Sequence, residues 1–291
     1  MIVGVDYAEV DTNAAPSFVR FKVACAAAGS MAGFAIFRGA WGTSPDPTAL
    51  RDWVAAKDAG LTCGAYLFLR MRADISPEDQ VHVFADNVGA LRNNDLAPIL
   101  DIEDSGFPAM RELEYTHRAW LEVRRVYGVS PIIYDSARVW AELLNNAPAG
   151  EMVDSPQWVA KPWPWAVHSP PQLSPQPFAS GRWAPPVPSP WGPGNWWMHQ
   201  YQGDAFPVPG FSNTVDLSRF NVMTQGENGA RVRWVQQRLG LAGNGVYGPV
   251  MAAALRTFQR QNGLVEDGII GPKTFAPLTW CAGVERPLAA A

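Results

Sequence analysis

Asp101 and Glu103 stand two residues apart at the end of the apolar run Ala97-Pro98-Ile99-Leu100, with Asp104 directly behind them. A continuous apolar run of this kind reads as a strand buried on both faces, as in a parallel sheet. Side chains alternate along a strand, which predicts Asp101 and Glu103 on one side and Ile102 and Asp104 on the other. The backbone would then separate the acid pair by roughly 6.6 Å. Two carboxyl groups on one face, at the carboxyl end of a buried strand, suit general acid–base work at a sugar acetal. A D-x-E triplet is common in proteins, so the placement of this one has to carry the argument.

That placement follows from the elements around it. Met1 to Asp6 reads as a first strand. A loop and helix follow over 11–29, with Pro16 near the first helical turn and Gly29 closing it. Phe34 to Arg38 is a second strand, 47–59 a helix stopped by Gly60, and 61–69 a third strand. Ser76-Pro77-Glu78-Asp79 opens a helix that runs to about Asn93, with a good cap and proline at its first position. The Asp101 strand is fourth, 108–127 a long amphipathic helix, 130–134 a fifth strand and 136–144 a short helix. Strands alternating with helices at this spacing predict a parallel α/β fold. Asp6, Arg38 and Asp101 each fall at or just after a strand's carboxyl end, where barrel enzymes carry their chemistry.

Gln157 to Ala160 continues as a sixth strand, and then the pattern breaks. Residues 162–194 are crowded with Pro, Trp and Ser and have no period, so they read as a long irregular excursion that includes Trp163, Trp165, Trp183 and Trp191. Trp196 to Tyr201 resumes as a strand, and Asn213-Thr214-Val215-Asp216 ends a further apolar run in an acid. From Gly226 the chain changes character. Asn244-Gly245-Val246-Tyr247-Gly248-Pro249 recurs 23 residues later as Asp267-Gly268-Ile269-Ile270-Gly271-Pro272, each turn leading into a helix with proline near its start. This predicts a small helical module.

The chain has 291 residues, 47% of them hydrophobic and 17% charged, which suits one large domain and one small one. A net charge of −4, divided as −7 before Gly226 and +3 after it, argues against nucleic acid as a partner. Three scattered cysteines make no disulfide framework, and Cys25 and Cys63 read as buried thiols. No apolar run approaches the ~20 residues that span a bilayer. The start carries no basic region ahead of an apolar one, which predicts synthesis without a signal peptide.

Taken together, Gly4-Val5-Asp6, Phe37-Arg38-Gly39, Gly64-Ala65-Tyr66, Leu100-Asp101-Ile102-Glu103, Pro131-Ile132-Ile133-Tyr134, Gln200-Tyr201 and Val215-Asp216-Leu217 resemble the glycoside hydrolase family 25 muramidases. The resemblance implies an α/β, TIM-like barrel of eight strands and about five helices over 1–222, with the 162–194 excursion inside it. It implies cleavage of the β-1,4 bond between N-acetylmuramic acid and N-acetylglucosamine in peptidoglycan, with no cofactor and no metal. Glu103 would be general acid and then base. Asp101 would support the second step, directly or by orienting the substrate's 2-acetamido group, and Asp6 and Asp216 would line the cleft. The carboxylates of Asp101, Asp6 and Asp216 would raise the pKa of Glu103. Arg38, Tyr66, Trp158, Gln200 and Tyr201 would bind substrate. His199 departs from the family's usual Trp before Gln-Tyr.

After a linker at 223–228, residues 229–282 resemble a peptidoglycan-binding helical domain, through Arg256-Thr257-Phe258-Gln259 and Asp267 to Thr274, with 283–291 a tail. The whole resembles a phage endolysin made in the host cytoplasm, released by a holin-type partner and acting on bacterial peptidoglycan without entering the membrane. Two rival readings are a catalytically dead wall-binding protein and a glycosidase on another glucosamine polymer.

Overall fold

The computed structural model describes residues 1–8, 15–92, 94–161, 171–174 and 184–281. In chain order they form β1 (Ile2–Tyr7), α1 (Phe18–Ala27), β2 (Met31–Trp41), β3 (Ser44–Pro45), α2 (Ala49–Asp58), β4 (Thr62–Phe68), α3 (Pro77–Val88), β5 (Ile99–Asp101) and α4 (Ala109–Tyr127). Then come β6 (Ile132–Asp135), α5 (Ala137–Leu143), a 3-10 turn at Gly150–Asp154, β7 (Gln157–Ala160), β8 (Met198–Ala205) and β9 (Val215–Phe220). Three helices end the described residues: α6 (Ala230–Arg238), α7 (Pro249–Gln261) and α8 (Pro272–Thr279).

The sheet runs β1-β9-β8-β7-β6-β5-β4-β2-β3, and pairing of β1 with β2 closes it into an eight-stranded barrel on which β3 is a short outer addition. The strands are parallel except β9, which runs antiparallel to both of its neighbours, and β3. Five helices, α1 to α5, accompany the barrel, as the resemblance implies. The barrel's interior is filled from below by Phe34, Ile36, Ile99, Ile132, Trp158, Met198 and Phe220. Gly4 on β1 is required by this filling, because a Cβ there would lie 2.2 Å from the Phe34 ring.

One strand is shorter than its sequence pattern. The apolar run predicts a strand through Asp104, but β5 ends at Asp101. The Asp104 carboxylate reaches across to β4's exit, accepting from Arg70 Nε at 2.8 Å and from the Met71 amide at 3.1 Å. These charge-assisted bonds tie the segment after β5 to the segment after β4. Alternation continues through Ile102, which packs outward with Leu100 and whose amide donates to the Tyr134 carbonyl, and it is Asp104 that departs from it.

The tail is built from two matching turns. Gln236 holds the first, accepting from the Gly245 amide and donating to Asn244 Oδ1. Gln259 does the same for Gly268 and Asp267. Asn244 thus performs the turn-holding role of Asp267, and the first repeat keeps its geometry without the acid.

The tail packs beneath the barrel. Phe275 of α8 stacks on Trp197 at 4.5 Å between centroids and meets Phe220 edge-on at 5.4 Å. Trp280 Nε1 donates to the Asp95 carbonyl, Trp234 Nε1 to the Asp154 carbonyl, and the Ala97 amide to Thr279 Oγ1. Arg231 lies over Trp197 and donates to the carbonyls of Trp196 and Asn221. Met223, in the expected linker, exchanges backbone bonds with Ile270. All of these barrel partners sit at the strands' amino ends, or in β9's case at the carboxyl end of an antiparallel strand, so the module lies opposite the face that carries the acids.

Candidate active site

Four acids meet at the barrel's carboxyl end. Asp6 comes from β1, Asp216 is its antiparallel partner on β9, Asp101 ends β5, and Glu103 stands just beyond. Asp6 and Asp101 are buried, and Glu103 reaches solvent at the mouth.

The floor under them is a hydrogen-bond network. Gln200 Nε2 donates to Asp6 Oδ2 at 2.7 Å and to Asp216 Oδ2 at 3.0 Å, while its Oε1 accepts from the Tyr134 hydroxyl at 2.9 Å. Ser218 Oγ donates to Asp6 Oδ1 at 3.2 Å and accepts from Trp158 Nε1 at 3.0 Å. The Asp204 amide donates to Asp216 Oδ1 at 2.7 Å, from a residue held at a φ of 50° where β8 departs from regular register with β9. A buried amide bridging two carboxylates needs its orientation fixed, and Tyr134 supplies that.

Burial sets the protonation of the cluster. Asp6 is raised well above the ordinary carboxyl range, first by desolvation and then by the charge of Asp216, against the bonds from Gln200 and Ser218. Asp101 is likewise raised by desolvation, then by Glu103 and Asp6. Asp216 is pushed up to about 6 by desolvation, partly offset by the Asp204 amide. Glu103 is raised by the walls around it and then by the charge of Asp104. The expected cause was Asp101, Asp6 and Asp216. That repulsion is present, since Glu103 raises each of the three and the repulsion between two carboxylates is mutual, and Asp104 adds a charge that was not expected.

A carboxyl raised on folding binds its proton more tightly in the native state, so its contribution is fully present at low pH and is lost as pH rises through the folded value. For Asp216 that window runs from about pH 4 to about pH 6. Asp216→Asn removes this term and also one cause of the rise at Asp6. The fall of Tm across that window should be shallower in Asp216→Asn than in the wild type. Parallel melting curves at several pH values check this, and equal slopes would refute it.

The predicted binding residues divide. Arg38 faces the cleft beside Tyr66, its partner across β2 and β4, and is tied to Asp46 at 3.3 Å. Tyr66 is half-buried there, its hydroxyl raised by burial and then by Asp101, so it stays neutral. Gln200 is the bridge described above. Trp158 is only 2% exposed and lies 4.5 Å from the Tyr134 ring, so it is floor, not wall. Tyr201 is a correction. It is fully buried on the other face of β8 from Gln200, donating to the Gln172 carbonyl among the side chains that pack α1 onto the barrel.

His199 shares that outer face. It takes a bond from Arg219 Nε on Nδ1, and burial with the Arg219 charge lowers its pKa to about 3. The His199 departure therefore lies outside the cleft. Of the excursion's tryptophans, Trp163, Trp165 and Trp183 lie outside the described residues. Trp191 is 5% exposed and packs edge-on against Trp140 at 4.8 Å, which makes it a core ring.

Tyr134, Ser218 and Asp104 were not predicted as site residues. Strand alternation could have found two of them, since Tyr134 is the cross-strand partner of Asp101 and Ser218 stands two residues after Asp216. Among the described residues no group of acids, histidines and cysteines is arranged to hold a metal ion.

Comparison with known proteins bears on this arrangement. Residues 27–210 match the model "Glycosyl hydrolases family 25", and residues 228–278 match "Putative peptidoglycan binding domain". No curated protein matches the chain. A lysozyme from Streptomyces coelicolor is 25% identical, with a TM-score of 0.59, covering 76% of this chain and 92% of that one. A muramidase from Acremonium alcalophilum is 21% identical, with a TM-score of 0.58 over 76% and 94%. The CTP1L endolysin is 17% identical, with a TM-score of 0.54 over 76% and 67%; at these identities the last two show likeness of fold alone. Because the family model covers most of the barrel, including the strands that carry Asp101, Tyr134 and Gln200, this chain belongs to glycosyl hydrolases family 25.

Proposed function

We propose that the protein is an N-acetylmuramidase that hydrolyses the β-1,4 bond between N-acetylmuramic acid and N-acetylglucosamine in bacterial peptidoglycan. The observation that supports this most is the graded acid cluster: a solvent-reaching Glu103 with a raised pKa above the buried Asp101, Asp6 and Asp216. The raised pKa lets Glu103 keep its proton to higher pH than an ordinary carboxyl, so that it would donate to the leaving sugar oxygen and then take a proton from water in the second step. Asp101 accepts from the Glu103 amide on its way out of the strand and would orient the 2-acetamido group or the developing cation. Asp6 and Asp216, locked by Gln200, would hold the sugar and the cluster's charge.

The match over residues 228–278 supports a tail that holds peptidoglycan, which fits the substrate and disfavours a glycosidase acting on a wall-free polymer. An endolysin role, with a holin-type partner releasing it to the wall, fits the same pairing of modules. Turbidity clearing of purified walls, followed by identification of the new reducing end, tests the proposal. Reducing-end muramic acid supports it. Clearing with glucosamine ends, or binding without clearing, overturns it.

A further inference from the structure

Trp41 ends β2 with its indole 46% exposed, while the strand from Ala32 to Ala40 is buried or half-buried. Its register explains the direction. Trp41 pairs with Phe68 on β4, and Phe68 pairs with Asp101 on β5, so all three share the inner side of the barrel rim. Strands are spaced by about 4.8 Å, which puts Trp41 roughly 10 Å along the rim from Asp101. Phe68 stands between them, its ring 6.4 Å from the indole.

The indole is held from behind. The Arg70 guanidinium lies over one face of the ring at 4.2 Å. Arg70 is itself held through both its side chain and its backbone. Its Nε donates to Asp104 Oδ2 at 2.8 Å, its amide donates to Gln80 Oε1 at 2.8 Å, and its carbonyl accepts from Gln80 Nε2 at 3.0 Å. Gln80 is fully buried and donates also to the Tyr115 hydroxyl at 2.7 Å. Gly42 completes the fit: its φ is +61°, and a Cβ there would come within 2.8 Å of Arg70 Cγ. Five residues from five segments, Gly42, Arg70, Gln80, Asp104 and Tyr115, thus support one half-exposed aromatic ring on the inner side of the rim. An exposed tryptophan with no ligand to bind has no need of such support.

Resting on the muramidase reading above, we propose that Trp41 is a stacking platform for a pyranose ring of the glycan chain, one bound along the rim beyond the bond being cleaved. Arg70 and Asp104 are its positioning residues. The apolar C–H face of an N-acetylhexosamine would lie on the free indole face, and the guanidinium behind the ring keeps it from turning away. Trp41 takes no part in proton transfer. Asp104 has a double role, since the carboxylate that anchors Arg70 is also the charge that raises Glu103.

The test uses the full chain with soluble peptidoglycan glycans of graded length. Trp41→Ala should raise KM about five- to tenfold on glycans long enough to reach the platform, with kcat within about twofold and little change on the shortest cleavable glycan. Trp41→Phe should restore most of the loss. Asp104→Asn should raise KM on long glycans by a smaller factor, and should also move the alkaline limb of the pH–rate profile to lower pH. A merely structural role for Asp104 would lower Tm without moving that limb. A KM that does not change with glycan length in Trp41→Ala overturns the proposal while wild-type cleavage continues. Absence of wild-type cleavage on every glycan overturns the muramidase reading instead. Direct titration of the long glycan into Glu103→Gln and into Glu103→Gln/Trp41→Ala, followed calorimetrically, separates the two: equal affinities refute the platform whatever the catalytic result.

Discussion

Glu103→Gln should lower the rate of wall lysis by about 10²–10⁴-fold while leaving the fold and wall binding in place. Glutamine keeps the shape of the side chain but carries no transferable proton. Its amide also removes a negative charge that raises Asp6, Asp101 and Asp216, so those acids should titrate lower in the variant. The wild type should lose activity as pH rises through the raised Glu103 value, because the donor form disappears there. Initial rates on purified walls, a melting curve and a wall pull-down test this together. A variant that retains more than about a tenth of the wild-type rate would remove Glu103 from the role of proton donor.

Phe275→Ala should destabilise the whole chain by about 3–5 kcal/mol, the usual cost of truncating a buried phenylalanine. Its ring lies under Trp197 and Phe220, in one continuous core that climbs through Phe34, Ile132 and Trp158 to the network beneath the acids. The loss should therefore appear as one lowered transition reported alike by the barrel and the tail, with the acids' titration disturbed only near the melt. Calorimetry and near-UV dichroism decide it. Two separate transitions, with the barrel's unmoved, would show that the tail is held more loosely than this packing implies. For the same reason, residues 1–225 alone would expose Trp197, Phe34 and Phe220 to water, and that fragment should aggregate or melt early.

The acids were legible because their positions repeat one rule. A polar residue where an apolar strand ends has no reason to be there for packing, and Asp6, Asp101 and Asp216 all obey it. The closing of the barrel by an antiparallel β9 was not legible, since six residues of alternating pattern say nothing about direction. The docking of the tail was equally hidden. Trp197 and Phe275 each look like ordinary core residues, and only the folded chain makes them one another's partner. Asp104 failed for a different reason. The alternation rule turned it away from Glu103, but its ion pair with Arg70, 34 residues earlier, draws its carboxylate across to the exit of β4. Tyr201 was legible and misassigned, because alternation from Gln200 already places it on the opposite face.

The tail's seat under the barrel has a consequence for how the protein would travel on its substrate. A module on a loose tether can feed the catalytic mouth with the same strand it holds. Here the module is seated at the barrel end opposite the acids, about the height of the strands, roughly 20 Å, from them. The strand held below and the strand severed above would then be different ones, neighbours in the mesh. Such an enzyme would not follow its own anchor along one chain. It would act as a cross-brace that cuts across the weave, opening holes between adjacent strands before any single strand is shortened.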